Sequence, residues 1–205
     1  MAVNTRRYMQ LIGITGGIGS GKSTICAQLR KMGYEVYDTD AEARRIMNTS
    51  PEIRSQMVAV FGEEAYVGDV LNRSYIAQIV FSDVSMLNRL NEITHPTVKA
   101  DLKLWMSAHA EQVLCFVESA LLYESELDSL CARTVFISAP VQIRVERAMM
   151  RDGVAEEKIR SRISRQMQDD VASRKSDYVL NNDGSESIEA LTNRLLSFLH
   201  QQAVL

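Results

Sequence analysis

The 205-residue chain is 46% apolar and 24% charged, with a net charge of −3. That suits one α/β domain with an inserted subdomain, or two small domains, and supplies no overall basic field for nucleic acid. No apolar run reaches transmembrane length, and residues 1–7 are charged without an apolar core, so neither a membrane span nor a signal peptide is expected.

Tyr8-Met9-Gln10-Leu11-Ile12-Gly13-Ile14-Thr15 is mostly apolar and partly β-branched, which predicts a buried strand. Gly16-Gly17-Ile18-Gly19-Ser20-Gly21-Lys22-Ser23 then matches G-x-x-x-x-G-K-[ST] at every fixed position. From Thr24 the chain reads as a helix, with Ile25, Leu29 and Met32 at helical spacing and Gly33 as the stop. Strand, glycine loop, helix is the arrangement a phosphate-binding P-loop requires. Glycines let backbone N–H groups approach phosphate oxygens, and the new helix adds its own unbonded donors. Lys22 offers an ammonium to the β- and γ-phosphates of ATP, and the Ser23 hydroxyl is suited to Mg²⁺.

Residues 33–37 predict a second short strand ending in Asp38-Thr39-Asp40, where open α/β sheets hold their ligands. Either aspartate also suits the cap of the helix that follows, and one can cap while the other faces substrate. Residues 51–61 suggest a helix closed by Gly62, 68–72 a loop, and 75–81 a helix capped by Asn72 or Ser74. Residues 86–94 form a further helix, broken at His95-Pro96, with Pro96 opening another toward Ala108. Residues 41–108 therefore predict helices without a convincing strand, an insertion of the kind that builds a substrate pocket. His95 reads as a cap or packed ring, or as an acceptor contact.

Val113-Leu114-Cys115-Phe116-Val117 is a strong strand signal ending in Glu118-Ser119. Glu118 suits either Mg²⁺, directly or through water, or an ordinary strand-end carboxylate contact. Leu121 and Glu124 follow in the same loop. Residues 133–137 predict a fourth strand and 141–151 a helix. From Arg144 to Lys175 basic residues outnumber acidic ones. That reads as a solvated face with i,i+4 pairs, or as a lid whose arginines close over ATP. Residues 177–180 predict a fifth strand, 181–184 a turn, and 185–201 a final amphipathic helix. The alternation predicts an α/β fold with a five-stranded parallel sheet flanked by helices. Cys26, Cys115 and Cys131 form no CxxC pair; Cys26 and Cys115 read as small apolar packing groups, consistent with the cytoplasm.

Together these segments resemble the dephospho-coenzyme A kinase family. Thr15 to Thr24 resembles its P-loop, and Asp38-Thr39-Asp40 its Asp-x-Asp. Leu71-Asn72-Arg73 is similar to its Leu-Asp-Arg, with Asn for Asp, and Val80-Phe81 to its Val-Phe. Leu90-Asn91-Glu92-Ile93-Thr94-His95-Pro96 resembles its Leu-Asn-x-Ile-x-His-Pro, the segment that singles this family out. Glu118 to Glu124 is similar to its Asp-x-Pro-Leu-Leu-Phe-Glu, with Glu118, Ala120 and Tyr123 as departures. Arg162-Ile163 and Gln166 match its lid pattern, and Asn181-Asn182-x-Gly184 resembles its Asp-Asn-x-Gly.

The resemblance implies a nucleotide-binding core (residues 8–40, 109–146 and 174–205), a helical acceptor region (41–108) and a lid (147–173). It implies ATP and Mg²⁺ as cofactors and phosphoryl transfer to the 3′-hydroxyl of dephospho-CoA, with no nucleic-acid or membrane partner. The ATP site would be Gly17, Ile18, Gly19, Ser20, Gly21, Lys22, Ser23 and Thr24, with Arg147, Arg162 and Asn182. Arg73, His95, Glu118 and Leu121, with Asp38 and Asp40, would meet the acceptor. Asp40 is favoured as the base, and Ser23 and Glu118 as Mg²⁺ ligands. A nucleoside, nucleotide or shikimate-type kinase is an alternative on the same core. A small-GTPase-like switch fits less well, since Asn181-Asn182-Asp183-Gly184 is not the Asn-Lys-x-Asp guanine reader. No motif speaks to oligomeric state.

Overall fold

The computed structural model describes residues 9–202. The expectations for residues 1–7, and Tyr8 as the opening of the first strand, lie outside them. In chain order the elements are β1 (Gln10–Thr15), α1 (Lys22–Lys31), β2 (Glu35–Asp38), α2 (Thr39–Thr49), α3 (Pro51–Phe61), β3 (Tyr66–Val67), β4 (Val70–Leu71), α4 (Arg73–Ser82), α5 (Val84–Ala108), β5 (Leu114–Glu118), β6 (Arg133–Ser138), α6 (Val141–Asp152), α7 (Glu156–Ile163), α8 (Asp169–Lys175), β7 (Tyr178–Asn181) and α9 (Ile188–Gln201). The chain divides into two units. One holds the described residues up to Asp38 and from His109 onward; the other is Thr39–Ala108.

In the first unit, five strands of the described residues form the expected parallel sheet, in the order β2-β5-β1-β6-β7. The register sets Ile12 opposite Phe116 on β5 and Ile14 opposite Val135 on β6. β1 is thus central and buried on both faces, which is why it reads as an unbroken apolar run. Ile25 and Leu29 of α1 pack onto it, with Leu191, Leu195 and Leu199 of α9, all essentially buried. Each such side chain contributes about 1.5–3 kcal/mol of transfer free energy. Tyr178 stacks on Phe198 with centroids 4.2 Å apart, fastening α9 to the sheet edge. Cys26 and Cys115 are buried free thiols. Burial pushes Cys115 up to about 11, so it packs as a neutral group.

The second unit departs from expectation twice. Residues 84–108 form one helix, α5, with Pro96 inside it, rather than two helices broken at His95-Pro96. An interior proline costs about 3 kcal/mol. Ile93, Val98 and Leu102 lie buried on both sides of Pro96, and their burial together outweighs that loss. The Thr94 and Thr97 hydroxyls donate to the carbonyls of Leu90 (2.9 Å) and Ile93 (2.8 Å), binding up backbone around the interruption. His95 is therefore a mid-helix residue and not the N-cap of a helix.

The second departure is a small antiparallel hairpin, β3 with β4, where a loop and no strand were expected. Gly68 turns it with φ 61°, a left-handed conformation that glycine adopts without cost. The hairpin is held from outside by Arg54, which lies over the Tyr66 ring at 4.5 Å and donates to the Gly68 carbonyl at 2.8 Å. Tyr66 Oη donates to Met47 O at 2.8 Å, and the Leu71 N–H to Asn48 Oδ1 at 2.8 Å. Asn72 caps α4 as expected, accepting from the Tyr75 N–H at 3.3 Å.

Candidate active site

The P-loop runs from the end of β1 into α1, and its conformation depends on missing side chains. Gly19 and Gly21 hold φ 76° and 95°. A Cβ on Gly21 would lie 2.1 Å from Asn182 Nδ2, which donates to the Ser20 carbonyl at 2.8 Å. Asn182 is 3% exposed and comes from the turn after β7. In a trans peptide the next N–H points opposite to the carbonyl, so this bond turns the Gly21 N–H away from Asn182. Within the loop, the Ser20 N–H donates to the Gly17 carbonyl at 3.1 Å.

Lys22 Nζ lies on the loop itself, donating to Gly16 O at 2.6 Å and Gly17 O at 3.2 Å. Ser23 Oγ donates to Glu118 Oε1 at 2.7 Å. Glu118 is 7% exposed at the end of β5, and Asp38 is its registered neighbour on β2. Registered residues of adjacent parallel strands leave the same face of a sheet, so two carboxylates stand together at its carboxyl edge. Cys26 follows Ser23 on α1; burial, and then the Glu118 charge, keep its thiol well above the ordinary value.

Hard oxygens from Ser23 and Glu118, in hydrogen-bond contact beside the phosphate loop, fit Mg²⁺, which takes few protein ligands and completes its shell with phosphate and water. Among the described residues no cluster of three or more His, Cys, Asp or Glu forms a metal cage.

The arginine-rich stretch holds the i,i+4 pairs expected of a solvated face. Arg160–Glu156 and Arg174–Asp170 are exposed i,i+4 pairs at 2.7 Å, each worth a few tenths of a kcal/mol at most. Arg147 instead donates to the Asn182 carbonyl at 3.0 Å, within the group that holds the P-loop. Arg162 is engaged by Asp152 at 2.7 Å. Leu121 is partly exposed, and its carbonyl accepts from Ser125 Oγ at 2.6 Å. Glu124 lines a small cleft with Thr15, Gly16 and Gln166. Asp40 is the second residue of α2, inside its first turn rather than at its cap; Arg73 opens α4, and His95 lies in α5. These three belong to the second unit.

Hydrogen bonds from Arg151 and then Arg162 hold the Asp152 carboxyl down at about 2, below its ordinary value. The stabilisation from these pairs is therefore complete above about pH 4 and lost as the pH falls toward 2. Thermal melts of Asp152→Asn and wild type, recorded between pH 7 and pH 2.5, should differ most at neutral pH and converge on the acid side. A gap that stays constant to pH 2.5 would assign the effect to something other than these charges.

Arg144 had no sequence signal beyond belonging to a basic stretch. It is 1% exposed, with its guanidinium against Gly17 and Nε donating to Ile18 O at 2.9 Å. A charged side chain that deep is rare enough to mark a position, but burial is not written in local sequence.

The way β1 hands its loop to α1, with an acidic strand end alongside, places the molecule among the P-loop kinases. Residues 10–187 match the family described as dephospho-CoA kinase. A dephospho-CoA kinase of Bacteroides fragilis (strain YCH46) is 38% identical over 192 residues, covering 93% of each chain. A crystal structure from Thermus thermophilus superposes with a TM-score of 0.81 at 36% identity, covering 95% of this chain and 98% of that one. The dephospho-CoA kinase of Campylobacter jejuni shares the fold, with a TM-score of 0.70 at 20% identity over 95% of this chain and 99% of that one. The chain belongs to the dephospho-CoA kinase family.

Proposed function

We propose that this chain transfers the γ-phosphoryl group of ATP to the 3′-hydroxyl of dephospho-CoA, giving CoA and ADP. The observation that carries the proposal is the folded P-loop with Ser23 on Glu118, in a chain of this family. Phosphoryl transfer passes through a loose transition state, so the protein's work is positioning and charge stabilisation. The N–H groups of Gly17 through Thr24 cradle the phosphates, and Lys22 turns its ammonium from the loop carbonyls to the β- and γ-phosphates. Ser23 and Glu118 would hold Mg²⁺, which would supply neutralisation of phosphate charge.

Asp40 accepts the acceptor's hydroxyl proton as the oxygen–phosphorus bond forms and the bond to ADP breaks; Asp38 helps align that hydroxyl. Arg147 and Arg162 supply positive charge over the γ-phosphate, and Asn182 holds the nucleotide side of the loop. Arg73, His95, Leu121 and Glu118 contact the acceptor. On this proposal residues 41–108 bind dephospho-CoA, 147–173 close as a lid, and the remainder holds ATP in the cytoplasm. No helix among the described residues is long and apolar enough to cross a membrane.

A coupled ADP-release assay over several acceptors is the test. ADP should appear with dephospho-CoA, in step with CoA. Turnover with a nucleoside monophosphate or shikimate, and none with dephospho-CoA, would overturn the assignment.

A further inference from the structure

We infer that Arg144 is a positioning residue for ATP, bracing the P-loop from behind so that the Gly19 N–H faces the phosphates. The inference rests on reading the loop as the ATP site. Arg144 Nε donates to Ile18 O at 2.9 Å, and Gln166 Oε1 accepts the Ile18 N–H at 2.8 Å. Both polar backbone groups of one loop residue are thus held by side chains from outside the loop, one from α6 and one from the segment between α7 and α8. Fixing the Ile18 carbonyl also fixes the Gly19 N–H, which points the opposite way across the same trans peptide.

The fit leaves no slack. A Cβ on Gly17 would lie 1.8 Å from Arg144 Nη2, and one on Gly19 would lie 2.1 Å from the Arg144 carbonyl oxygen. Nη1 of Arg144 donates to Asp169, the first residue of α8, so the buried charge has a partner. The planar fork serves Ile18 and Asp169 at once while lying against Gly17. An amide already aimed binds phosphate without an ordering cost at the moment of binding.

Arg144→Lys keeps a charge but loses the fork. ATP affinity by isothermal titration, KM and kcat for both substrates, and the thermal midpoint would be measured together. The loss of one aimed donor should raise the Kd and KM for ATP about tenfold, while KM for dephospho-CoA stays within about twofold. Asp169→Asn should shift ATP affinity in the same direction by a smaller factor, and it decides the matter if Arg144→Lys does not fold. ATP binding at the wild-type level in folded variants would overturn the brace. So would ATP and dephospho-CoA constants that worsen equally in step with a lowered melting point, the mark of a purely structural role. Wild-type protein that binds no ATP would instead remove the nucleotide reading beneath it.

Discussion

Lys22→Ala should fold like the wild type and lose about 10²–10³-fold in kcat, the usual loss when one preorganised group facing transition-state charge is removed. The fold should survive because Lys22 opens α1 from its solvent-accessible side, and alanine is the best helix former. What disappears is the ammonium now resting on the Gly16 and Gly17 carbonyls, within reach of anything the loop cradles. Circular dichroism and a thermal melt establish folding, and steady-state kinetics give the loss. A variant that turns over within about threefold of wild type would show that Lys22 does not meet the transferring group.

Asp40→Asn should lower kcat about 10²–10⁴-fold, the range for a positioned general base, with little change in KM for ATP. Asparagine keeps the size and can still hydrogen-bond, but it accepts no proton at neutral pH. Asp38→Asn is the necessary companion, because Asp38 ends β2 beside Glu118 while Asp40 enters α2. If Asp38→Asn is inactive and Asp40→Asn is not, the two roles are exchanged.

What the sequence made legible was what local rules determine. The glycine spacing of residues 16–21 specifies a phosphate loop wherever it lies between a strand and a helix. Residues 51–61 read as a helix closed by Gly62, and α3 has those bounds with Gly62 at its end. The parallel sheet followed from alternating periodicities. The misses came where distant packing overrode local preference. Pro96 signalled a helix boundary, but the buried face of Ile93, Val98 and Leu102 carried α5 through it. β3 and β4 have two residues each, too short for an alternating pattern to register. Arg144 could not be told from its basic neighbours, because its partners Ile18 and Asp169 lie 126 and 25 residues away in the chain. The Arg162–Asp152 ion pair likewise spans ten residues and only coordinates reveal it.

The central position of β1 also fixes an order of events during synthesis. Its hydrogen-bonding neighbours begin at Leu114 and Arg133, about a hundred residues later. At about 5–20 residues per second, a ribosome takes roughly 5–20 s to deliver the first of them. The contiguous stretch Thr39–Ala108 leaves the exit tunnel before then and can settle through near-neighbour helix contacts. The apolar run Leu11-Ile12 meanwhile waits without its flanking strands, and the loop that follows it is among the last parts of the newborn chain to take shape.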